Sequence, residues 1–325
     1  MSSKSYTNLF TFGEQKITIE DDDQEADYGL RMARAIDVQL IDTNLYMSKE
    51  LYLPLGARGV FGGQIVAQAL KAAWDTVPED FFIHSLHAYF ILACSVETPV
   101  IYSIQRVQDR RSFARPEQGA VLDHQTSMPN VPNPESLPSD IETLEDALKK
   151  ISNPSMRFLK RLETRLKDAG IVEYRNVRKD SPEEVVSGNV QPNGSDQHWF
   201  KTRGKLNDDM KLHACCIAYV SDAALLNTAA IANGMTFSSS SVGMMTSLDH
   251  TIWFHMPARA DEWLLYHKYS PRTNSGRGFA FGHIYSQDGS LVATTAQEGV
   301  IRLSKKEQER RQKQYQETTN DQSKL

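Results

Sequence analysis

Two stretches of this chain are imperfect copies of one another, and one copy is shorter. The first runs SLHAYF (Ser85 to Phe90), then PVIYSI (Pro99 to Ile104), then RRSFA (Arg110 to Ala114). The second runs SLDHTIWF (Ser247 to Phe254), then EWLLYHKY (Glu262 to Tyr269), then GRGFA (Gly276 to Ala280). After Ala280 the second copy continues as FGHIYSQDGSLVATTAQEGVIRL (Phe281 to Leu303), whereas after Ala114 the first passes into RPEQGAVLDHQ. An internal repeat implies two like structural units that bury a face against each other. A pocket between the units is expected, and one unit lacks a piece that the other has.

Periodicity gives each unit a helix followed by antiparallel strands. In the first, AIDVQLIDTNLYMS (Ala35 to Ser48) reads as a strand, and GARGVFGG (Gly56 to Gly63) as a glycine-rich turn into a helix over Gln64 to Trp74. Ile65, Val66, Ala69, Leu70 and Ala73 fall on one stripe of that helix. Strands are predicted around Phe82 to Leu92 and Val100 to Val107. MPNVPNPESLP (Met128 to Pro138) is a proline-rich extended linker, and Ser139-Asp140-Ile141-Glu142 is a capping box that opens a helix. A further helix starts after Asn153, with Pro154 in its first turn, and ends at Gly170. The second unit opens with IVEYRNV and QHWFKTR and has a helix from about Ser221. Its strands are expected at Thr246 to Phe254, Trp263 to Tyr269, Gly278 to Ser286 and Leu291 to Leu303, with Asp288-Gly289 turning the last hairpin. A helix followed by antiparallel strands, twice over, is an α+β architecture with each helix packed on a curved antiparallel sheet.

Composition narrows the function. The 325 residues fit two ordinary domains, and a net charge of −5 argues against a dedicated nucleic-acid surface. Cys94, Cys215 and Cys216 form neither a CxxC pair nor a disulfide framework, which points to a reducing compartment. No apolar run is long enough for a membrane-spanning helix, and the polar N-terminus has no signal core. The acidic run EDDDQEAD (Glu20 to Asp27) reads as a solvated arm. The final tripeptide Ser323-Lys324-Leu325 has the form of a receptor-read peroxisomal address, on a polar tail that leaves it accessible.

Familiar catalytic signatures are missing. There is no G-x-S-x-G elbow, no G-x-G-x-x-G and no P-loop. His84 and His87 have an odd separation, and Asp249 and His250 are adjacent, so on strands each pair points to opposite faces. Neither pair is expected to form a metal site or a catalytic dyad.

The motifs GVFGGQIVAQAL, HSLHAYF, DRRSFA, LDHQTSMPNVP, AYVSDAALL, SLDHTIWFH, DEWLLY and SGRGFAFGHIYSQDGSLVATTAQEGVIR, in that order, resemble those of the type-II acyl-CoA thioesterases. The resemblance extends from about Ala35 to Arg302 and implies a tandem (double) hot-dog fold. It also implies hydrolysis of fatty acyl-CoA to free acid and coenzyme A, without a metal or organic cofactor. The family's Asp, hydroxyl and Gln, which orient and activate a water, fall by motif on Asp222 (YVSDAALL), Ser247 (TSLDH) and Gln297 (TAQEG). Without the resemblance, Asp222 near an expected helix start reads as a cap, Ser247 as an ordinary strand serine and Gln297 as a strand-end amide. The backbone N–H groups near Gly62 and Gly63 are candidate oxyanion donors. Lys268, Arg272 and Arg277 form a basic cluster that can meet coenzyme A phosphates or serve only as a solvated surface patch.

On this reading, 1–29 is a flexible acidic arm, 30–128 the truncated first module and 129–169 a linker with helices. The second module is 170–304, and 305–325 is the polar tail. Acyl-CoA is the implied small-molecule partner, a peroxisomal import receptor the implied protein partner, and a homo-oligomer is admissible by analogy. The family's first module continues after SFA into a strand, a turn and a second strand, and this chain lacks that hairpin after Ala114. It also has Arg110 in place of the family's usual glycine, and FILACSVE (Phe90 to Glu97) where the bacterial pattern has a basic, glycine-containing turn. A catalytically impaired acyl-CoA-binding or dimerising hot-dog protein is therefore the alternative. An enoyl-CoA hydratase would need a histidine near Asp222 on a loop-helix segment.

Overall fold

The computed structural model describes residues 10–12, 15–17, 25–54, 57–108, 122–167 and 170–322. Strands β1 (Phe10–Phe12) and β2 (Gln15–Ile17) pair antiparallel as a separate ribbon. Helix α1 (Glu25–Ala35) follows, so β1, β2 and the start of α1 fall within the residues 1–29 expected as a flexible arm. Met32 and Ile36 anchor this segment in the main core. The expected single strand over Ala35 to Ser48 is a hairpin, β3 (Val38–Asp42) and β4 (Leu45–Ser48). Its turn places Asn44 at φ 58°, a left-handed conformation that asparagine adopts more readily than most residues.

Helix α2 (Gly62–Trp74) comes next, followed by β5 (Ser85–Tyr89) and β6 (Ile101–Ser103). The linker then leads through a 3₁₀ turn at Pro134–Ser136 to α3 (Asp140–Lys150) and α4 (Met156–Lys167). Ser139 caps α3 as its sequence requires: its side chain accepts from Glu142 N, and Glu142 accepts from Ser139 N. The second unit contains β7 (Val172–Asn176), α5 (Pro182–Ser187), β8 (Ser195–Thr202), α6 (Met210–Ser221) and α7 (Asn227–Ile231). It continues with β9 (Val242–Ser247), β10 (Asp249–Phe254), β11 (Leu264–Asn274), β12 (Arg277–Ser286) and β13 (Leu291–Leu303), and α8 (Lys305–Gln322) closes it. No described helix is long and apolar enough to cross a membrane.

Helix α6 corrects the expectation of a helix starting at about Ser221. Residues His213 to Ser221 are buried without a break, so this helix shows no amphipathic stripe for periodicity to detect. It packs against α2, and the two helices form the centre of the core with Val66, Leu70, Ile217 and Ala218. Gly63 permits the close crossing, because a Cβ there would stand 2.2 Å from the Tyr219 carbonyl oxygen.

One antiparallel sheet wraps these helices in the order β5-β10-β13-β12-β11-β8-β7, with β9 pairing the far half of β13. Ile252, Tyr266, Ala280, Ile284 and Ala293 point from it into the core. The 122–138 segment crosses the opposite face, where Gln125 bonds Gly289 and Leu291, and the Trp199 indole donates to Pro132 O at 2.9 Å.

The repeat is visible in the sheet. β5 and β10 are its like-named copies and pair with each other, from Ser85 opposite Trp253 to Tyr89 opposite Asp249. In the second unit β10 connects to β11 through β13 and β12. In the first, among the described residues, β5 lies in the large sheet while β6 joins β4 and β3 in a separate three-stranded sheet. Two strands' worth of chain separate these edges in the complete copy. The junction after Ala114 lies outside the described residues. Tyr89, Ile91, Leu92, Val107 and Leu122, on the chain leading to and from the break, are exposed.

Candidate active site

Asp222 follows α6 directly as its C-cap residue, with φ −79° and ψ −21°. It is therefore at a helix end, not near the helix start that its sequence context implied. A carboxylate at the C-terminus of its own helix faces the negative end of the dipole and is disfavoured. The fold offsets this by bringing up the N-terminus of α2. An ideal Cβ on Gly62 would stand 2.8 Å from Asp222 Oδ2. Helix α2 starts at Gly62 with no side-chain cap on Phe61, and the N–H groups of Gly62 and Gly63 precede its first internal bonds, which Gln64 N and Ile65 N make to Phe61 O. Gly62 thus lies beside the carboxylate, and its missing side chain makes the approach possible. Gly63, one position on, is turned against Tyr219.

Gln297 connects the site. Its amide Nε2 donates to Asp222 Oδ1 at 2.6 Å and to Ser247 Oγ at 2.6 Å. Both N–H bonds are used, which fixes the amide plane. The side chain is fully buried on the inward face of β13, opposite Ala280 of β12. Ser247 is the last residue of β9, where it pairs with Gly299 two positions beyond Gln297. The structure therefore brings together Asp222, Ser247, Gln297 and Gly62 from four separate elements. Asp222 keeps Oδ2 for a further partner, and Ser247, which accepts from Gln297, keeps its own proton to donate.

The wall opposite comes from the first unit. The Phe90 ring lies 3.1 Å from where a Gly62 Cβ would be, and Phe61 meets Tyr219 edge-on with centroids 4.9 Å apart. Phe90 N also donates to Leu248 O at 2.8 Å, next to Ser247. The site therefore sits at the junction of the two units. Sequence reasoning missed Phe61 and Phe90. The signal was present, since Phe61 lies within GVFGG and Phe90 ends SLHAYF.

The basic cluster does not form as expected. Lys268 is completely buried on the inner face of the sheet, where its ammonium donates to Asp196 Oδ2 at 2.7 Å and His198 Nδ1 at 3.0 Å. Arg272 is exposed, and Arg277 bonds Glu298 at 2.9 Å. A β-bulge explains the separation. Tyr269 stands opposite Phe281 and Arg272 opposite Phe279, so three steps on β11 match two on β12. The extra residue puts Arg272 on the face of Tyr269, opposite to Lys268. Burial alone raises the Asp196 carboxyl pKa, but the adjacent Lys268 ammonium brings it below its ordinary value. Burial, reinforced by Lys268, holds the His198 imidazole well below its ordinary range.

Asp249 and His250 point apart, as neighbours on a strand must. Asp249 Oδ1 accepts from Glu298 N at 2.8 Å, while His250 Nε2 lies 2.8 Å from Ser221 Oγ. Ser323, Lys324 and Leu325 lie outside the described residues.

Comparison with known proteins adds the following. Residues 166–300 match the family model described as acyl-CoA thioesterase, and residues 52–116 match that of the acyl-CoA thioesterase N-terminal domain. The chain is similar to acyl-coenzyme A thioesterase 8 of Homo sapiens, with 36% identity covering 82% of this chain and 88% of the human protein. It is similar to acyl-CoA thioesterase 2 of Haemophilus influenzae at 35% identity, covering 77% of this chain and 90% of that protein. Among solved structures it resembles an acyl-CoA thioesterase II, TesB2, from Mycobacterium marinum. The TM-score is 0.62 at 26% identity, over 85% of this chain and 98% of that one.

Proposed function

The chain belongs to the acyl-CoA thioesterase family with a double hot-dog fold, and from that premise we propose that it hydrolyses fatty acyl-CoA to free fatty acid and coenzyme A. We assign the chemistry to Asp222, Ser247 and Gln297, with Gly62 and Gly63 at the start of α2 as oxyanion donors. The observation that carries this reading is the doubly donating Gln297 amide, which sets Asp222 and Ser247 at fixed positions.

The roles follow from donor and acceptor capacity. A water that donates to Asp222 Oδ2 and accepts from the Ser247 hydroxyl presents a lone pair to the thioester carbonyl carbon. Attack forms the C–O bond while the carboxylate takes the water proton. The carbonyl oxygen becomes an oxyanion, which first-turn N–H groups of α2 stabilise together with the positive end of the helix. Collapse of this intermediate breaks the C–S bond, and the departing thiolate recovers the proton from Asp222. Phe61 and Phe90 provide an apolar border that keeps bulk solvent away from the reacting atoms.

The direct test is release of free thiol from palmitoyl-CoA, followed with a chromogenic thiol reagent. Catalytic release by the purified chain is expected. A folded protein that releases no thiol above the uncatalysed background would overturn the assignment.

Ser323-Lys324-Leu325 supports import into the peroxisome matrix through a receptor that reads this tripeptide. Deleting the three residues should leave a fluorescent fusion in the cytosol, with the reporter placed at the N-terminus so that the chain end stays free. Unchanged peroxisomal import of the deletion would remove the targeting claim.

A further inference from the structure

Directly beneath the three candidate groups lies a second set of polar side chains that the reaction does not use. Ser221, His250, Tyr266 and Thr295 are all fully buried. The Tyr266 hydroxyl donates to the Ser221 carbonyl oxygen at 2.7 Å and lies 2.8 Å from Thr295 Oγ1. With the tyrosine proton committed to Ser221, the Thr295 hydroxyl is the donor in the second bond. Ser221 Oγ lies 2.8 Å from Ala218 O and 2.8 Å from His250 Nε2. A carbonyl oxygen only accepts, so the serine proton goes to Ala218 and His250 Nε2 must donate. That leaves a lone pair on His250 Nδ1, which has no partner among the described residues. A buried lone pair is tolerated more readily than a buried orphan N–H, which supports this tautomer.

The placement of these groups gives them meaning. Ser221 immediately precedes Asp222. His250 lies three residues after Ser247, across the turn from β9 to β10. Thr295 lies two residues before Gln297 on the same inward face of β13. Ser221, His250 and Thr295 are thus each on the same stretch of chain as one member of the site, and Tyr266 of β11 ties Ser221 to Thr295. Bonds among the buried members fix the distances between the elements that carry the others. Gly282 is part of this arrangement, since a Cβ there would stand 2.3 Å from Tyr266 Cε2 and displace the ring.

We propose that His250, bonded to Ser221 and assisted by Tyr266, is a positioning residue that holds the end of α6 so that Asp222 meets Gln297 and Ser247. This rests on the hydrolytic reading above. Reacting groups must stay close to the productive geometry, and a displacement of about 1 Å costs about 100-fold in rate. The effect belongs in kcat, because His250 lies behind the site and does not meet substrate.

The experiment compares His250→Asn with His250→Gln. The Gln amide nitrogen is three bonds from Cβ, like imidazole Nε2, and can donate to Ser221 Oγ; the Asn nitrogen is one bond too short. His250→Asn should lower kcat on palmitoyl-CoA about 100-fold with KM changed less than about threefold, and His250→Gln should recover most of the loss. Tyr266→Phe removes one hydroxyl, keeps the packing and should show the same division between kcat and KM. A readout independent of turnover is the side-chain amide resonance of Gln297 in isotope-labelled protein. Its protection from solvent exchange should fall in His250→Asn and return in His250→Gln. Wild-type-like kcat in both His250→Asn and Tyr266→Phe, or an unchanged Gln297 amide in His250→Asn, would overturn the positioning role. If the Gln297 amide responds as described while the wild-type chain releases no thiol, the positioning role stands and the hydrolytic assignment fails.

Discussion

Asp222→Asn is expected to lower kcat for thioester hydrolysis by about three orders of magnitude while leaving the fold intact. The substitution is chosen for what it preserves. Asparagine keeps a carbonyl oxygen where Asp222 Oδ1 accepts from Gln297 Nε2 at 2.6 Å, and it has nearly the same volume. It loses the basic oxygen proposed to take the proton of the attacking water, a contribution worth about 10²–10⁴-fold in rate. If Asp222 were only a helix cap, asparagine would serve as well and activity would stay near that of wild type. Stability should hardly change, because the charge is opposed by the C-terminus of α6 and favoured by the N-terminus of α2, terms of similar size and opposite sign. Steady-state kinetics with palmitoyl-CoA, beside thermal unfolding of both proteins, checks the two halves together. Activity within about tenfold of wild type would remove the general-base role.

How far this site could be read in advance depended on where its parts lie. Motif resemblance placed Asp222, Ser247 and Gln297, and the strands carrying the last two were legible from alternation and from the Asp288-Gly289 turn. β13 occupies the expected Leu291–Leu303. Helix α6 was not legible, and the position of Asp222 at its C-terminus was lost with it. A helix buried on every side has a continuous apolar sequence, and periodicity cannot distinguish it from a buried strand. Lys268 was misjudged for a different reason. A strand pattern of period two places Lys268 and Arg272 on one face, and only the bulge between Tyr269 and Arg272 reverses this. The local signal was Pro271, between Tyr269 and Arg272, because proline within a sheet is confined to edges, strand starts and bulges. The shortening of the first unit was legible, because the repeat itself showed nothing in the first copy to match Phe281 to Leu303 of the second. Its structural expression, β5 and β6 in separate sheets, agrees with that reading.

Lys268→Met should be among the most destabilising single substitutions in this chain, although no part of it touches the proposed chemistry. Lys268 has no exposed surface, and its ammonium bonds both Asp196 and His198. Methionine fills most of the space left by the lysine chain, so the loss is electrostatic: Asp196 remains as a buried carboxylate without its main partner. Breaking a buried ion pair from one side costs about 3–5 kcal/mol. The nearby Arg178 holds the cost toward the lower end, since its Nη1 is 3.9 Å from Asp196 Oδ1 and has no hydrogen-bond partner among the described residues, although Nε and Nη2 are bound to Asp180. The pH dependence identifies the cause. In the native protein the Asp196 pKa is lowered, so its contribution is complete above the unfolded carboxylate pKa and is lost as pH falls through the lower folded value. In Lys268→Met burial is left to dominate and the folded pKa rises above the unfolded one. The sign then reverses: the variant loses stability as pH rises through that raised value and recovers part of the deficit on acidification. Lys268→Met combined with Asp196→Leu removes both charges and should restore most of the stability, because an apolar replacement of a whole buried pair is often neutral. Thermal unfolding of the wild type, the single variant and the double variant at neutral and mildly acidic pH measures all three effects. A single variant as stable as wild type at neutral pH, or a double variant less stable than the single one, would show that the pair is not what holds this part of the sheet.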